Sequence, residues 1–360
     1  MSELVTRALL AGYHRAVRPA LFTLRDGDPE KIHEDMIRTL GAAGVVPAPV
    51  RRLGARALGG AATETVVAGI GFPGRVGVAA GLDKQGIAAR AWAGLGFGFA
   101  ELGTVTAHAQ PGNPKPRIFR AKQSEAIINR MGFNNGGAAD LAARLDGWGV
   151  RRGNRAVGIP LGISLGKTKT TPLAGAVEDY LTSLRLLADK ADYIAVNISS
   201  PNTPGLRQLQ DGDALRELTG ALVAEATVLD AANPVPIFVK VAPDLGWEAL
   251  AEAVDVCEQA GISGLIATNT TLERDGLVGD EVRLATEAGG LSGAPLTVRS
   301  REMVARIVQQ TSLPVIGVGG IMTPADARAM FDVGAQLVQV YTGFIYHGPA
   351  LVKGINSLPH

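Results

Sequence analysis

Cysteine is all but missing from this chain: there is one, Cys257, in 360 residues. That excludes a disulfide framework and a cysteine-based metal cluster, and it suits a reducing compartment. No sign of charge prevails either, since 35 Lys and Arg against 34 Asp and Glu leave a net +1. A chain so balanced has no overall field to draw nucleic acid, and none is expected as a partner. No run of 18 apolar residues occurs, so a membrane-spanning helix is not expected. The N-terminus lacks the apolar stretch and small-residue cleavage site of a signal peptide. There is no G-x-x-x-x-G-K-[ST] loop, and neither a P-loop nor a nicotinamide-binding Rossmann unit finds support.

What the chain does hold is apolar residues and glycine. Hydrophobic residues are 46% of it and charged residues 19%, ample material for a packed core and the opposite of a disordered composition. Glycine, at 46 residues, is present at roughly twice its usual ~7% share. No G-X-Y period accompanies it, so collagen is excluded. Tight strand-to-helix turns and backbone lying close to a ligand are expected instead.

Residues 1–44 read as a helical extension. Leu10, Tyr13, Val17, Leu21 and Leu24 recur at helical spacing, with Arg7, Arg15, Arg18 and Arg25 against a single Glu3. Pro19 predicts a bend or break. A second helix has Asp28 to cap it, Pro29 at its first position, Ile32, His33, Met36, Ile37 and Leu40 on one face, and Gly41 as its stop. Such helices either pad one end of a globular domain or form a hood whose apolar face meets a membrane surface. Val45-Val46-Pro47-Ala48-Pro49 and the glycines at 54, 59 and 60 mark 45–60 as a connector.

From residue 61 to 360 strands and helices alternate. Short apolar runs stand at 75–79, 99–104, 157–165, 193–197, 237–241, 264–268, 315–318 and 337–341. Helical patterns follow at 178–190, 214–229, 247–260, 296–310 and 325–333. Eight such units predict an α/β fold, a (β/α)8 TIM barrel with a short helical N-terminal extension. A doubly wound open sheet is the alternative, and it needs a large second domain to use this length. Each strand ends in groups able to bind a ligand: Ala80-Gly81-Leu82-Asp83-Lys84, Gly103-Thr104, Ser164, Asn197, Lys240, Thr268-Asn269-Thr270, Gly319-Gly320 and Tyr341-Thr342-Gly343. In a barrel these share the C-terminal face, where active sites are built. Gly317, Gly319, Gly320 and Gly343 leave N–H groups free for an anion such as phosphate, although G-V-G-G also serves as a plain tight turn.

Ten segments carry a resemblance in consistent order: AAGLDK (79–84), GFGFAELGTVT (96–106), NPKPRIFR (113–120), INRMGFNN (128–135), NISSPNTPGLR (197–207), PIFVKVAPDL (236–245), IATNTT (266–271), GGLSG (289–293), GVGGI (317–321) and VQVYTGFIYHGP (338–349). They resemble the class 2, quinone-using dihydroorotate dehydrogenases. The resemblance implies a barrel holding one FMN per chain and a helical extension at the quinone entrance. The implied reaction is oxidation of dihydroorotate to orotate, with FMN and then a membrane quinone reduced, in pyrimidine synthesis. Peripheral attachment to the cytoplasmic side of the cell membrane is implied with it.

By the same resemblance Ser200 is the catalytic base, where class 1 enzymes carry cysteine; its neighbour Ser199 is the alternative. Cys257 lies in a helical stretch and reads as packing. A flat substrate with a carboxylate, carbonyls and N–H groups calls for amides that donate and accept. Asn129, Asn197, Asn202 and Asn269 fit, with Thr270 a hydroxyl and Lys84 a cation, and the Arg130, Met131, Gly132 and Phe133 loop is implied beside them. The FMN residues implied are Ala80, Gly81, Leu82, Asp83, Lys84, Thr104, Ser164, Asn197, Lys240, Thr268, Gly293, Gly320, Tyr341 and Thr342. Ser164 departs from the family pattern, because many relatives have asparagine in this G-I-N-I-G position. His33 and Arg120 are implied to meet the quinone, and no metal is expected. Residues 201–210, with Pro201, Pro204 and Gly205, are expected to form a mobile lid. A related flavin barrel with another substrate or acceptor, or a barrel that binds without catalysis, remain the competing functions.

Overall fold

A computed structural model describes residues 2–46, 48–59 and 64–359. Eight parallel strands close a barrel: β3 (Val76–Val78), β4 (Phe99–Val105), β7 (Leu161–Leu165), β8 (Tyr193–Asn197), β9 (Ile237–Val241), β10 (Gly264–Ala267), β12 (Val315–Val318) and β13 (Leu337–Val340). They pair in chain order, with β13 returning to β3. All eight expected runs are barrel strands. The expected helices appear as α6 (Ala176–Leu187), α7 (Gly212–Leu229), α8 (Trp247–Gln259), α9 (Thr297–Gln310) and α10 (Pro324–Asp332), with α5 (Ala138–Gly147), α11 (Thr342–His347) and α12 (Pro349–Asn356) completing the ring.

Alternation along the strands sorts two cores. Ala100, Leu102, Val196, Val239 and Val338 face the helices. Phe99, Tyr193, Phe238, Ile266, Ile316 and Leu337 fill the barrel. The rings fit because neighbouring strands give way to glycine. A Cβ on Gly77 would come within 2.4 Å of the Phe99 ring, and one on Gly162 within 2.1 Å of the Tyr193 ring. The bottom is plugged by a hairpin, β1 (Thr65–Val67) and β2 (Ile70–Phe72), whose Phe72 ring meets Phe99 edge-on at 5.2 Å. Gly69-Ile70-Gly71-Phe72-Pro73-Gly74 in that hairpin has dinucleotide-loop spacing, but it opens no helix and faces away from the strands' C-terminal ends.

The extension differs from expectation in three places. Helix α1 (Ser2–Gly12) runs into α2 (Arg18–Thr23) through a wider π turn, Tyr13–Val17, so the interruption expected at Pro19 falls just before it. Helix α3 (Pro29–Ala43) starts as expected, with Asp28 Oδ1 accepting from the N–H groups of Glu30 and Lys31. It does not stop at Gly41. That glycine is there for contact, because a Cβ would meet Ile87 at 2.9 Å. The 45–60 connector is corrected as well: Ala48–Gly59 is a helix, α4, packed on the Trp92–Leu95 turn. Its closeness explains the glycine at 54, whose Cβ would lie 2.6 Å from the Gly94 carbonyl.

An antiparallel sheet outside the barrel was not anticipated. Strand β6 (Ala126–Asn129) lies between β5 (Ile118–Ala121) and β11 (Gly290–Gly293). It lies between the barrel mouth and the N-terminal helices.

Candidate active site

A cavity of about 1550 Å³, its open mouth included, occupies the C-terminal end of the barrel and continues under α2 and α3. Its barrel end is lined by Ala80, Gly81, Lys84, Thr104, Asn197, Ser200, Lys240, Thr268, Asn269, Thr270, Gly320, Tyr341 and Thr342. The outer sheet and its loop add Asn129, Met131, Gly132, Phe133 and Gly293. At the other end His33 and Arg120 stand among Leu21, Phe22, Ile32 and Met36.

Four expected residues do not line it. Leu82 is wholly buried in the outer core. Asp83 turns back into the fold, its Oδ2 accepting from Ala88 N–H (2.9 Å) and Trp92 Nε1 (3.2 Å), and burial pushes its pKa up to about 6. Ser164 lies behind Thr104, hydroxyl to hydroxyl at 2.9 Å. The Arg130 side chain leaves the cavity to pair with Glu287 (2.6 Å) over the Phe119 ring. Successive strand residues point to opposite faces, so a motif that reaches the site contributes only alternate side chains to it.

The polar groups brace one another. Asn197 Nδ2 donates to Thr104 Oγ1 (2.9 Å), and Asn197 Oδ1 accepts from Asn269 Nδ2 (3.2 Å). Ser199 is buried and spends its hydroxyl on this frame, donating to Asn197 Oδ1 and accepting from Asn269 Nδ2 at 3.0 Å. Ser200 faces the cavity, and its Oγ accepts the Asn202 N–H at 3.3 Å. Asn202 Nδ2 in turn donates to Asn129 Oδ1 at 3.3 Å. The loop expected as a lid is divided. Leu206–Gln210 is a short helical turn fixed by Arg207, which pairs with Asp244 (2.7 Å) and donates to the Ser199 carbonyl. Pro201–Gly205 is tied far more lightly.

Two lysines carry the electrostatics. Lys240 is buried and, among the described residues, makes no hydrogen bond or ion pair; burial lowers its pKa, while the charge of Glu101 opposes that. Glu101 and Gln339 were not anticipated. Both lie inside the barrel, where Glu101 Oε2 accepts from Tyr193 Oη (3.0 Å) and Gln339 Nε2 (2.7 Å). Inward-facing polar residues on strands otherwise apolar were the signal. Lys84 donates to Asn134 Oδ1, and burial with the nearby Arg117 charge pushes its pKa down to about 7. Burial, with Lys84, pushes His33 down to about 4, so it is neutral at physiological pH. Among the described residues no acidic, histidine or cysteine cluster is arranged to hold a metal.

A closed parallel barrel with one amide-rich cavity at its C-terminal mouth, reached beneath a helical hood, defines a barrel enzyme of small-molecule chemistry. The chain belongs to the dihydroorotate dehydrogenase family, whose model matches residues 62–358. It is 54% identical over 343 residues to dihydroorotate dehydrogenase (quinone) of Salinispora arenicola, covering 95% of this chain and 97% of that one. It is 51% identical over 355 residues to the protein of the same name from Chloroflexus aurantiacus, covering 96% and 95%. A crystal structure of DHODH from Eimeria tenella in complex with ferulenol superposes with a TM-score of 0.81 at 36% identity, covering 94% of this chain and 93% of that one.

Proposed function

We infer that this chain oxidises dihydroorotate to orotate and passes the electrons to a quinone, the redox step of pyrimidine synthesis. The observation that carries the reading is that one continuous cavity joins two chemically different ends. One end offers amides and a serine to a small polar ring, and the other is an apolar passage ending at His33 and Arg120.

The barrel end fits FMN on its own chemistry. Lys240 is a buried lysine that makes no hydrogen bond or ion pair among the described residues, and beside an anionic reduced ring its charged form would be favoured. Ala80, Gly81, Thr104, Asn197, Thr268, Gly293, Gly320, Tyr341 and Thr342 line the same end and would hold the cofactor with it, backbone N–H groups at glycine-rich strand ends being suited to a phosphate. When bound, FMN supplies the acceptor for the substrate's hydride. The protein's part is to orient and to move a proton. Asn129, Asn197, Asn202, Asn269 and Thr270 hold the ring, Lys84 meets its carboxylate, and Ser200 Oγ takes the proton from the adjacent carbon. Taking that proton requires the hydroxyl to give up its own to solvent, and the Asn202 N–H at Oγ favours this by stabilising negative charge on the oxygen.

At the hood, Val5 and Leu9 on α1, Val17 in the π turn, Leu24 just after α2, and Val50 and Leu53 on α4 are exposed, and arginines at 7, 15 and 18 accompany them. Among the described residues no helix is long and apolar enough to cross a membrane. An interfacial, peripheral seat on the cytoplasmic face of the cell membrane fits this pattern and brings the passage to where an oily quinone resides.

Anaerobic mixing with dihydroorotate should bleach the flavin absorbance, and a long-chain quinone should restore it. A preparation that binds FMN but is not reduced by dihydroorotate would overturn the reading. Arg120→Ala should raise the quinone KM several-fold and leave flavin reduction at the parental rate; an unchanged KM removes Arg120 from the quinone end. Lys84 makes a further prediction. With its pKa near 7 in the free protein, it is largely neutral at pH 8.5, and a bound carboxylate favours its charged form. Orotate binding should therefore take up close to one proton at pH 8.5, and its Kd should rise about tenfold per pH unit above 7. Calorimetry in two buffers of different ionisation heat reads this directly, and absence of proton uptake sets Lys84 apart from the carboxylate.

A further inference from the structure

One side chain beside the active site has a bonding pattern that the cavity does not explain. Asn113, in the loop between β4 and β5, does not line the cavity. Its amide is nonetheless fully used. Nδ2 donates to the Arg130 carbonyl at 3.0 Å and to the Asn202 carbonyl at 3.2 Å, and Oδ1 accepts from Lys169 Nζ at 2.7 Å. Its own N–H donates to the Met131 carbonyl at 3.0 Å. Three segments far apart in sequence thus meet on one amide. The amide also lies against Gly132, where φ is +68° and a Cβ would come within 2.7–2.8 Å of its atoms. Only glycine at 132 lets the loop pass beneath Asn113.

The bond to Asn202 is the informative one. Residues 206–210 are anchored through Arg207 and Gln210. By contrast, among the described residues the backbone of 201–205 accepts from Leu206 and Gln208 of the adjoining turn, and from beyond 201–210 it accepts one hydrogen bond, the one from Asn113; the Asn202 side chain adds its longer bond to Asn129. Asn202 is the residue whose N–H meets Ser200 Oγ. We propose that Asn113 is a positioning residue that latches Pro201–Gly205 over the substrate, and so fixes the Asn202 N–H on Ser200. Its bond to the Arg130 carbonyl is the fixed side of the latch, and its bond to the Asn202 carbonyl is the side that opens. Gly205, at φ +70°, stands where the free tip joins the anchored turn. The inference rests on Ser200 as the base.

Rapid mixing of the FMN-loaded protein tests it with Asn113→Ala, Asn113→Asp, Lys169→Ala and Ser200→Ala side by side. Asn113→Ala should slow flavin reduction at saturating dihydroorotate about tenfold, and release orotate several-fold faster. Quinone oxidation of the pre-reduced protein should stay at the parental rate. Asn113→Asp keeps the Lys169 contact but loses both donors, so it should match Asn113→Ala, whereas Lys169→Ala should behave as the parent. Parental reduction and orotate release in Asn113→Ala would overturn the latch. So would a parental Asn113→Asp, a Lys169→Ala as slow as Asn113→Ala, or equal slowing of the quinone step. If Ser200→Ala alone reduces its flavin normally while Asn113→Ala releases orotate fast, the base assignment fails and the latch stands.

Discussion

Ser200→Ala is expected to keep its flavin and lose most of its reduction by dihydroorotate, slowing that half-reaction by about 10²–10⁴-fold, the usual worth of a positioned base. The side chain faces the cavity, and among the described residues its one hydrogen bond is the long one from the Asn202 N–H, so its loss should leave the cofactor end intact. FMN absorbance and quinone oxidation of the chemically reduced protein should match the parent. Ser199→Ala makes the contrast. That hydroxyl braces Asn197 and Asn269, so its loss should weaken cofactor and orotate binding as well as slow reduction. A Ser200→Ala protein reduced at the parental rate would move the base elsewhere.

Glu30→Ala is expected to cost about 3 kcal/mol of stability, the lower end for breaking a buried ion pair. Glu30, on α3, and Arg117, beside the outer sheet, are 5% and 6% exposed, with Arg117 Nη2 2.7 Å from Glu30 Oε1. Arg117 Nη1 also donates to the carbonyls of Pro111 (2.7 Å) and Asn113 (2.8 Å), so the guanidinium pins the hood to the loop over the substrate end. Those two bonds and the partial solvation offered by Lys115 keep the cost at the lower end. Burial raises the Glu30 pKa, but Arg117 and Lys115 outweigh it and hold the carboxyl below its ordinary value. A depressed carboxylate contributes its stability above the ordinary pKa and loses it as pH falls through the lowered one. The difference between Glu30→Ala and parent in denaturant melts should therefore be full at pH 7 and shrink toward pH 3. Equal melting midpoints at pH 7 would show that the pair contributes nothing net. Replacing both partners with apolar residues should recover part of the loss.

The barrel was legible because its determinants are local. Eight apolar runs, each ending in polar or glycine-rich residues, identify both the strands and the face they share. The segments 118–129 and 290–293 were not legible as a sheet, since β11 joins β6 from 161 to 167 residues away and no nearby pattern announces it. The connector reading failed at 48–59 for a related reason. Its glycine at 54 reads locally as a helix breaker, yet it answers to the Gly94 carbonyl 40 residues on.

By itself the sequence determined the strand count, the cavity's end of the barrel and the types of group gathered there, because periodicity and strand-end chemistry are written within a few residues. The tertiary structure alone decided which of two adjacent residues serves. It turned Ser200 to the cavity and Ser199 to the frame, Lys84 outward and Asp83 inward, and joined Glu30 to Arg117 across 87 residues. It also brought Asn113 onto Asn202, 89 residues away. Side-chain direction depends on the exact φ/ψ of turns packed against distant segments, and that packing exists only once the chain has closed on itself.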